Sequence, residues 1–420
     1  MCNKIFLVYY ERVIYSHTIR AKKNTFLSLQ VMGMVFDTTA SNSGRNKGAA
    51  KLIEDDLGRK LLWLACRHHI FELMIGAVWQ KVFGDVSAPE YTPFKVLKSL
   101  WSSIDKTAPY TLSLDETEPD HTWLIQLRER TLTELNLILN RGNEYLPRDD
   151  YREVAELTVL VLGGTLPRAG FTFSQPGAIS KARWMAVNIY AIKMFMFQDQ
   201  LGYDDAERDK LLRVVTFISM LYTRVWMAST RAADAPSYDL QLYHDLLQYQ
   251  DQDPEIAEAA LGKLMNHQWY LTQELVPLSI FSSETTDQQK SAIAASIALQ
   301  HKPSSFRRGR PNFPRDIDAT TSLEDLTGPQ SHATLDLLGI DIECLQSPPS
   351  TWGSIDAYVK AKHVIDKLKV TNDVAERNVK MVTDFSGKIT ADKEQRQCLL
   401  QMVEKHRKAY PSFKKKILNA

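Results

Sequence analysis

The stretch Val31 to Trp79, VMGMVFDTTASNSGRNKGAAKLIEDDLGRKLLWLACRHHIFELMIGAVW, constrains the fold more than any other part of this chain. Val31 to Phe36 is a short apolar run that stops on a carboxylate, Asp37. A buried strand of that length delivers the carboxylate to its C-terminal edge, where α/β sheets hold their reactive groups. Thr38, Thr39, Ser41, Asn42, Ser43 and Gly44 then supply loop and helix-cap chemistry. Ala49 to Leu57 has helical spacing, Gly58 reads as its stop, and Leu61 to Ala65 is a second apolar run of strand length. That run ends on Cys66-Arg67-His68-His69, and Ile70 to Val82 continues as an apolar-faced helix. The spacing predicts strand, helix, strand, helix, with polar groups at both strand ends.

Each polar group also has a plain reading. Asp37, taken alone, can simply cap the helix that follows it. Cys66 and His69 form one C-x-x-H pair, but a structural zinc needs four ligands, and Cys2, Cys344 and Cys398 offer no second paired motif. A buried Cys and a hydrogen-bonded His joining strand to helix account for the pair without metal.

Together, an Asp after an apolar strand and a C-x-x-H after the next strand resemble the ribonuclease-H-like core of cut-and-paste DNA transposases, particularly the hAT superfamily and its relatives. In that family the Asp is the second of three acidic metal ligands, and the C-x-x-H marks the same core. The third acid is a Glu far downstream, after a long helical insertion, in a segment of the type S-E-R-x-F-S. Ala375-Glu376-Arg377-Asn378-Val379-Lys380 is similar to that segment, which makes Glu376 the candidate third acid, 339 residues beyond Asp37. Ser180-Lys181-Ala182-Arg183-Trp184 is similar to the T-R-W segment of the hAT insertion. There the Trp is thought to stack on a base flipped out at the cleaved DNA end. The plain alternative for Trp184 is a core aromatic on an apolar helix.

The resemblance implies a mixed α/β, predominantly α fold: a partial ribonuclease-H-like core interrupted by a large all-α insertion. Residues 1–30 are read as a non-core N-terminal segment, with a targeting segment or a short strand as alternatives. Residues 31–84 are then the first part of the core, 85–350 the helical insertion, and 351–420 the C-terminal helical part of the core. Helical periodicity is read in Trp123 to Asn140, Asp149 to Val161, Ile179 to Gln198, Asp205 to Ala228, Tyr238 to Tyr249, Pro254 to Met265, His267 to Val276 and Ile355 to Leu368. Glu274, in the seventh of these, is a rival third acid with nothing beside it like the family segment. The linker 301–321 carries Arg307, Arg308 and Arg310, which can contact phosphate or stand solvated.

In the family, Mg²⁺ or Mn²⁺ ions held between three carboxylates activate water and stabilise the leaving oxygen. The first of those acids sits on the first of three antiparallel strands, and no Asp precedes Asp37 in this chain. The expectation is therefore an N-terminally truncated, catalytically inactive, transposase-derived protein, domesticated or degenerate, with no cofactor retained. DNA and a second copy of the chain are the expected partners, and the nucleus is favoured over the cytoplasm. The alternative is a helical protein-interaction scaffold in which Asp37, Cys66, His69 and Glu376 are ordinary structural residues.

Composition bounds these readings. With 420 residues, 44% of them hydrophobic, the chain can bury a sizeable core, and four irregularly spaced cysteines argue against a disulfide scaffold and fit a reducing compartment. No membrane segment is expected, because every apolar-rich stretch is broken by Lys, Arg, Asp or Gln. The formal net charge is only +1, yet Asp356 to Ala420 holds 15 Lys and Arg against 8 Asp and Glu. That local excess suits a phosphate-facing surface or a solvated helical tail.

Overall fold

A computed structural model describes residues 5–9, 13–15, 31–44, 47–84, 92–114, 121–141, 146, 149–177, 184–228, 230–303, 313–314 and 316–371. Arg183, Arg307, Arg308, Arg310 and Glu376 lie outside the described residues, as does the side chain of Trp184. The described chain is predominantly helical, with one small four-stranded sheet.

The sheet has β1 (Ile5–Tyr9), β2 (Val13–Tyr15), β3 (Val31–Phe36) and β4 (Leu62–Ala65) in the order β2-β1-β3-β4. β2, β1 and β3 run antiparallel, and β3 and β4 run parallel. The segment expected to stand apart from the core thus supplies two strands, and β1 covers the β3 edge that would otherwise expose unpaired backbone. In the parallel pair Gly33 lies opposite Leu62 and Phe36 opposite Ala65. A Cβ at Gly33 would stand 3.2 Å from Leu62 Cβ, so the glycine permits the close approach.

Between the parallel strands the chain makes a short turn, α1 (Ala40–Ser43), and then α2 (Ala49–Leu57). Helix α2 has the bounds that its periodicity predicts and stops at Gly58, whose φ of 66° is a left-handed cap that a side chain would strain. Every residue of β4 is buried, as expected for a strand covered on both faces. Phe36 meets Trp63 and Trp269 edge-on at 5.5 and 5.9 Å between ring centroids. Helix α3 (Arg67–Phe83) leaves the sheet directly after β4.

From there the fold is helical: α4 (Thr92–Leu100), α5 (Thr122–Asn140), α6 (Asp149–Val161), α7 (Trp184–Met196), α8 (Asp205–Phe217), α9 (Thr223–Ala228), α10 (Ala235–Tyr249) and α11 (Pro254–Leu264). Three more, α12 (Asp287–Ala298), α13 (Pro329–Leu337) and α14 (Asp356–Ile365), are joined by short 3-10 turns. Two expectations change. Asp205 to Ala228 is not one regular α-helix, because Ile218–Tyr222 forms a π turn between α8 and α9. His267 to Val276 is not a helix: Trp269–Leu271 is a 3-10 turn, and a second, Val276–Phe281, contains Pro277, whose ring disfavours α geometry in the residue before it.

The α8–α9 segment, Asp205–Ala228, is long and apolar enough to cross a membrane by length and composition alone. It packs inside the protein, with 78% of its most apolar window buried, which is what a core helix does.

Candidate functional site

The C-terminal ends of β3 and β4 bring the predicted motifs together. The Cys66 N–H donates to the Phe36 carbonyl at 2.7 Å, so the residue after β4 is tied to the residue before Asp37. Asp37 follows β3 immediately and is half-buried. Its Oδ1 accepts from the Thr39 N–H at 3.1 Å, the Thr39 hydroxyl at 2.5 Å and Asn42 Nδ2 at 2.7 Å. Its Oδ2 takes no hydrogen bond from the described residues.

The loop that carries these donors is closed on itself. The Gly44 N–H donates to the Ala40 carbonyl and the Gly48 N–H to the Gly44 carbonyl. A Cβ at Gly48 would stand 2.4 Å from the Gly44 backbone, so only glycine allows this closure. Asn42 is fully buried within the loop.

Cys66 is buried, is not in a disulfide and stands at the N-cap of α3, without capping it through its side chain. The His69 N–H donates to the Cys66 carbonyl, and His69 is half-buried. Among the described residues no group of three or more His, Cys, Asp or Glu could hold a metal ion. The C-x-x-H stands where strand becomes helix, and the two residues between its ends are anchors. Arg67 is fully buried and forms an ion pair with Asp239 of α10, its Nε donating to Asp239 Oδ1 at 3.0 Å. Its guanidinium also lies over the Phe71 ring at 4.9 Å. Burial pushes the Asp239 carboxyl up, and the adjacent Arg67 pulls it back down. His68 is buried and stacks on Trp226 with ring centroids 4.0 Å apart and planes 3° apart.

The far end of the described chain returns to this same edge. The Arg67 N–H donates to the Val370 carbonyl at 2.8 Å. Val370 donates in turn to the Thr230 carbonyl, and Ala232 donates to the Leu368 carbonyl. Thr371, the last described residue, is thus next to a residue bonded at the end of β4. The rival acid, Glu274, lies in a turn between 3-10 segments, where its carbonyl accepts from the Thr334 hydroxyl. Trp184 opens α7.

Sequence reasoning finds Asp37, Cys66 and His69 at this edge, gives Thr39 and Asn42 only as loop and cap residues, and misses Asp239. Thr39 and Asn42 carry a signal, being polar residues two and five positions after the acid. Asp239 carries none, because its partner is 172 residues away.

No family model matches the chain, and neither a curated protein nor a solved structure matches it.

Proposed function

We propose that the chain derives from a DDE/D-type cut-and-paste DNA transposase of the hAT kind, with Asp37 and Glu376 as two acids of a divalent-cation site. The observation that carries this reading is the return of the chain at Val370 to the edge where Asp37 stands. Glu376 is five residues beyond Thr371, a reach of up to roughly 17 Å in extended chain, so the two carboxylates can meet. A parallel strand pair, an Asp at the end of its first strand, a C-x-x-H after its second and a helical body between the two acids all agree with it. The antiparallel pairing of β1 with β3 is the feature to weigh against it, since among the described residues two antiparallel strands precede β3 where the family's core has three and a helix.

The open oxygen of Asp37 suits a hard, oxygen-seeking ion such as Mg²⁺ or Mn²⁺. Such an ion, when bound, supplies charge for polarising a phosphodiester. Asp37 and Glu376 would hold it, and Thr39 and Asn42 would orient Asp37. Two carboxylates alone would bind the ion more weakly than three and would not support strand cleavage. What this leaves is DNA binding, through the Arg183–Trp184 pair and the Arg307, Arg308 and Arg310 cluster.

Calorimetric titration with Mn²⁺ tests the cation site. The parent protein should bind, and Asp37→Ala and Glu376→Ala should each abolish binding. A parent that takes up no Mn²⁺ would favour the helical interaction scaffold, in which the three hydrogen bonds on Asp37 are loop capping and nothing more.

A further inference from the structure

A single π turn inside an α-helical stretch frequently marks a functional position. Tyr222 is the last residue of the turn Ile218–Tyr222, and its ring is buried beside Phe71, Phe217 and Trp226. Its hydroxyl faces the amide of Asn188 on α7 and stands near the carboxylate of Glu72 on α3. Asn188 is itself fully buried. The amide and the hydroxyl face each other without closing a hydrogen bond, and Asn188 Nδ2, Asn188 Oδ1 and the Tyr222 hydroxyl meet no partner among the described residues. We infer that an enclosed water sits between Asn188, Tyr222 and Glu72 and ties α3, α7 and the π turn together. This site is separate from the Asp37 edge and does not depend on the cation reading.

A buried polar atom left unmatched costs more free energy than a typical hydrogen bond returns, and folded proteins match nearly all of theirs. Here the unmatched atoms belong to one facing pair, so a single bridging group answers them. Polar groups that face each other without bonding directly are commonly joined by a water between them. Enclosed waters make about three hydrogen bonds each, to polar groups that are otherwise unmatched. The chemistry of the three side chains selects water over an ion. A cation would meet the oxygens but would also face the Asn188 N–H groups, and an anion would meet the Glu72 charge. Water both donates and accepts, so it can donate to Glu72 and to Asn188 Oδ1 while accepting from Tyr222. Burial pushes the Tyr222 hydroxyl well above its ordinary range and the Glu72 charge adds to that, so the hydroxyl keeps the proton it donates.

Oxygen-17 magnetic relaxation dispersion of the solvent, which counts long-lived internal waters, tests this on the full chain, with urea unfolding measured alongside. Tyr222→Phe removes one oxygen atom, and Asn188→Leu replaces the amide by an apolar group of similar size. Each variant should lose about one long-lived water relative to the parent. Each should also unfold at a lower urea concentration, because the water loses one of its partners. The double variant should lower the midpoint by less than the two single changes added together, since both act on the same bridge. A dispersion amplitude unchanged in Tyr222→Phe would overturn the inference, whatever happens to stability. So would a Tyr222→Phe midpoint that rises or stays put, because deleting a hydroxyl that truly lacked a partner relieves its burial cost. Should Asn188→Leu fail to fold, Tyr222→Phe decides the matter alone, as it leaves the shape of the core intact.

Discussion

Arg67 shows how a motif can be noticed for its ends while its interior does the structural work. The guanidinium is buried beside Phe71 and Tyr270, and Asp239 is its charged partner. Removing one partner of such a pair strands the other charge in a low-dielectric interior, which typically costs about 3–5 kcal/mol. Replacing both with apolar residues of similar size is often neutral by comparison. Asp239→Ala is therefore expected to lower the urea midpoint far more than the double replacement Arg67→Met, Asp239→Leu. Equilibrium urea unfolding of the two variants beside the parent checks this. If the double variant is as unstable as the single one, the pair contributes through more than its mutual neutralisation. The Arg67 N–H to Val370 bond is a backbone contact and survives either substitution.

At the scale of the element, the strand-helix-strand-helix order around Asp37 is legible because burial on both faces demands unbroken apolar runs, and Asp37, Gly58 and Cys66 punctuate them. Most helices beyond residue 120 are legible for the matching reason, that a one-sided face repeats every three to four residues. The departures have local causes. Pro277 restricts Val276 at the end of a helix-like pattern, and the π turn at Ile218–Tyr222 has no marker in the sequence around it. Within that turn the Met220 carbonyl accepts from the hydroxyl of Thr131 on α5 at 3.0 Å, with both residues fully buried. Thr131→Val keeps the shape and deletes the donor. A loss of about 1 kcal/mol in unfolding free energy is expected, measurable as a lower urea midpoint with an unchanged slope. No change would mean that the π turn is set by packing alone. The sheet's β1 and β2 are the least legible strands, since an aromatic run followed by basic residues reads first as a segment outside the core, with a leader or a strand as alternatives.

For the whole molecule, the DNA binding proposed above has to be reconciled with a nearly neutral chain. A net charge of +1 supplies no general attraction, so any binding must come from local concentrations of charge. Two lie in the sequence: the linker arginines Arg307, Arg308 and Arg310, and the last 65 residues with their excess of seven positive charges. Each phosphate contact releases condensed counterions, so the dependence of log affinity on log salt steepens by about 0.9 per contact on duplex DNA. Fluorescence anisotropy with a labelled duplex, measured from low to physiological salt, would therefore count contacts as well as detect them. Replacing Arg307, Arg308 and Arg310 together by Gln should flatten the slope by about 2–3 if all three touch phosphate. Replacing Lys414, Lys415 and Lys416 by Gln asks the same of the terminal cluster. Replacing Trp184 by Ala removes no charge, so it should weaken binding to a single-stranded or flipped-base duplex while leaving the slope unchanged. A parent protein with no affinity for either duplex at low salt would exclude DNA as a partner and leave the helical body to be explained by protein contacts.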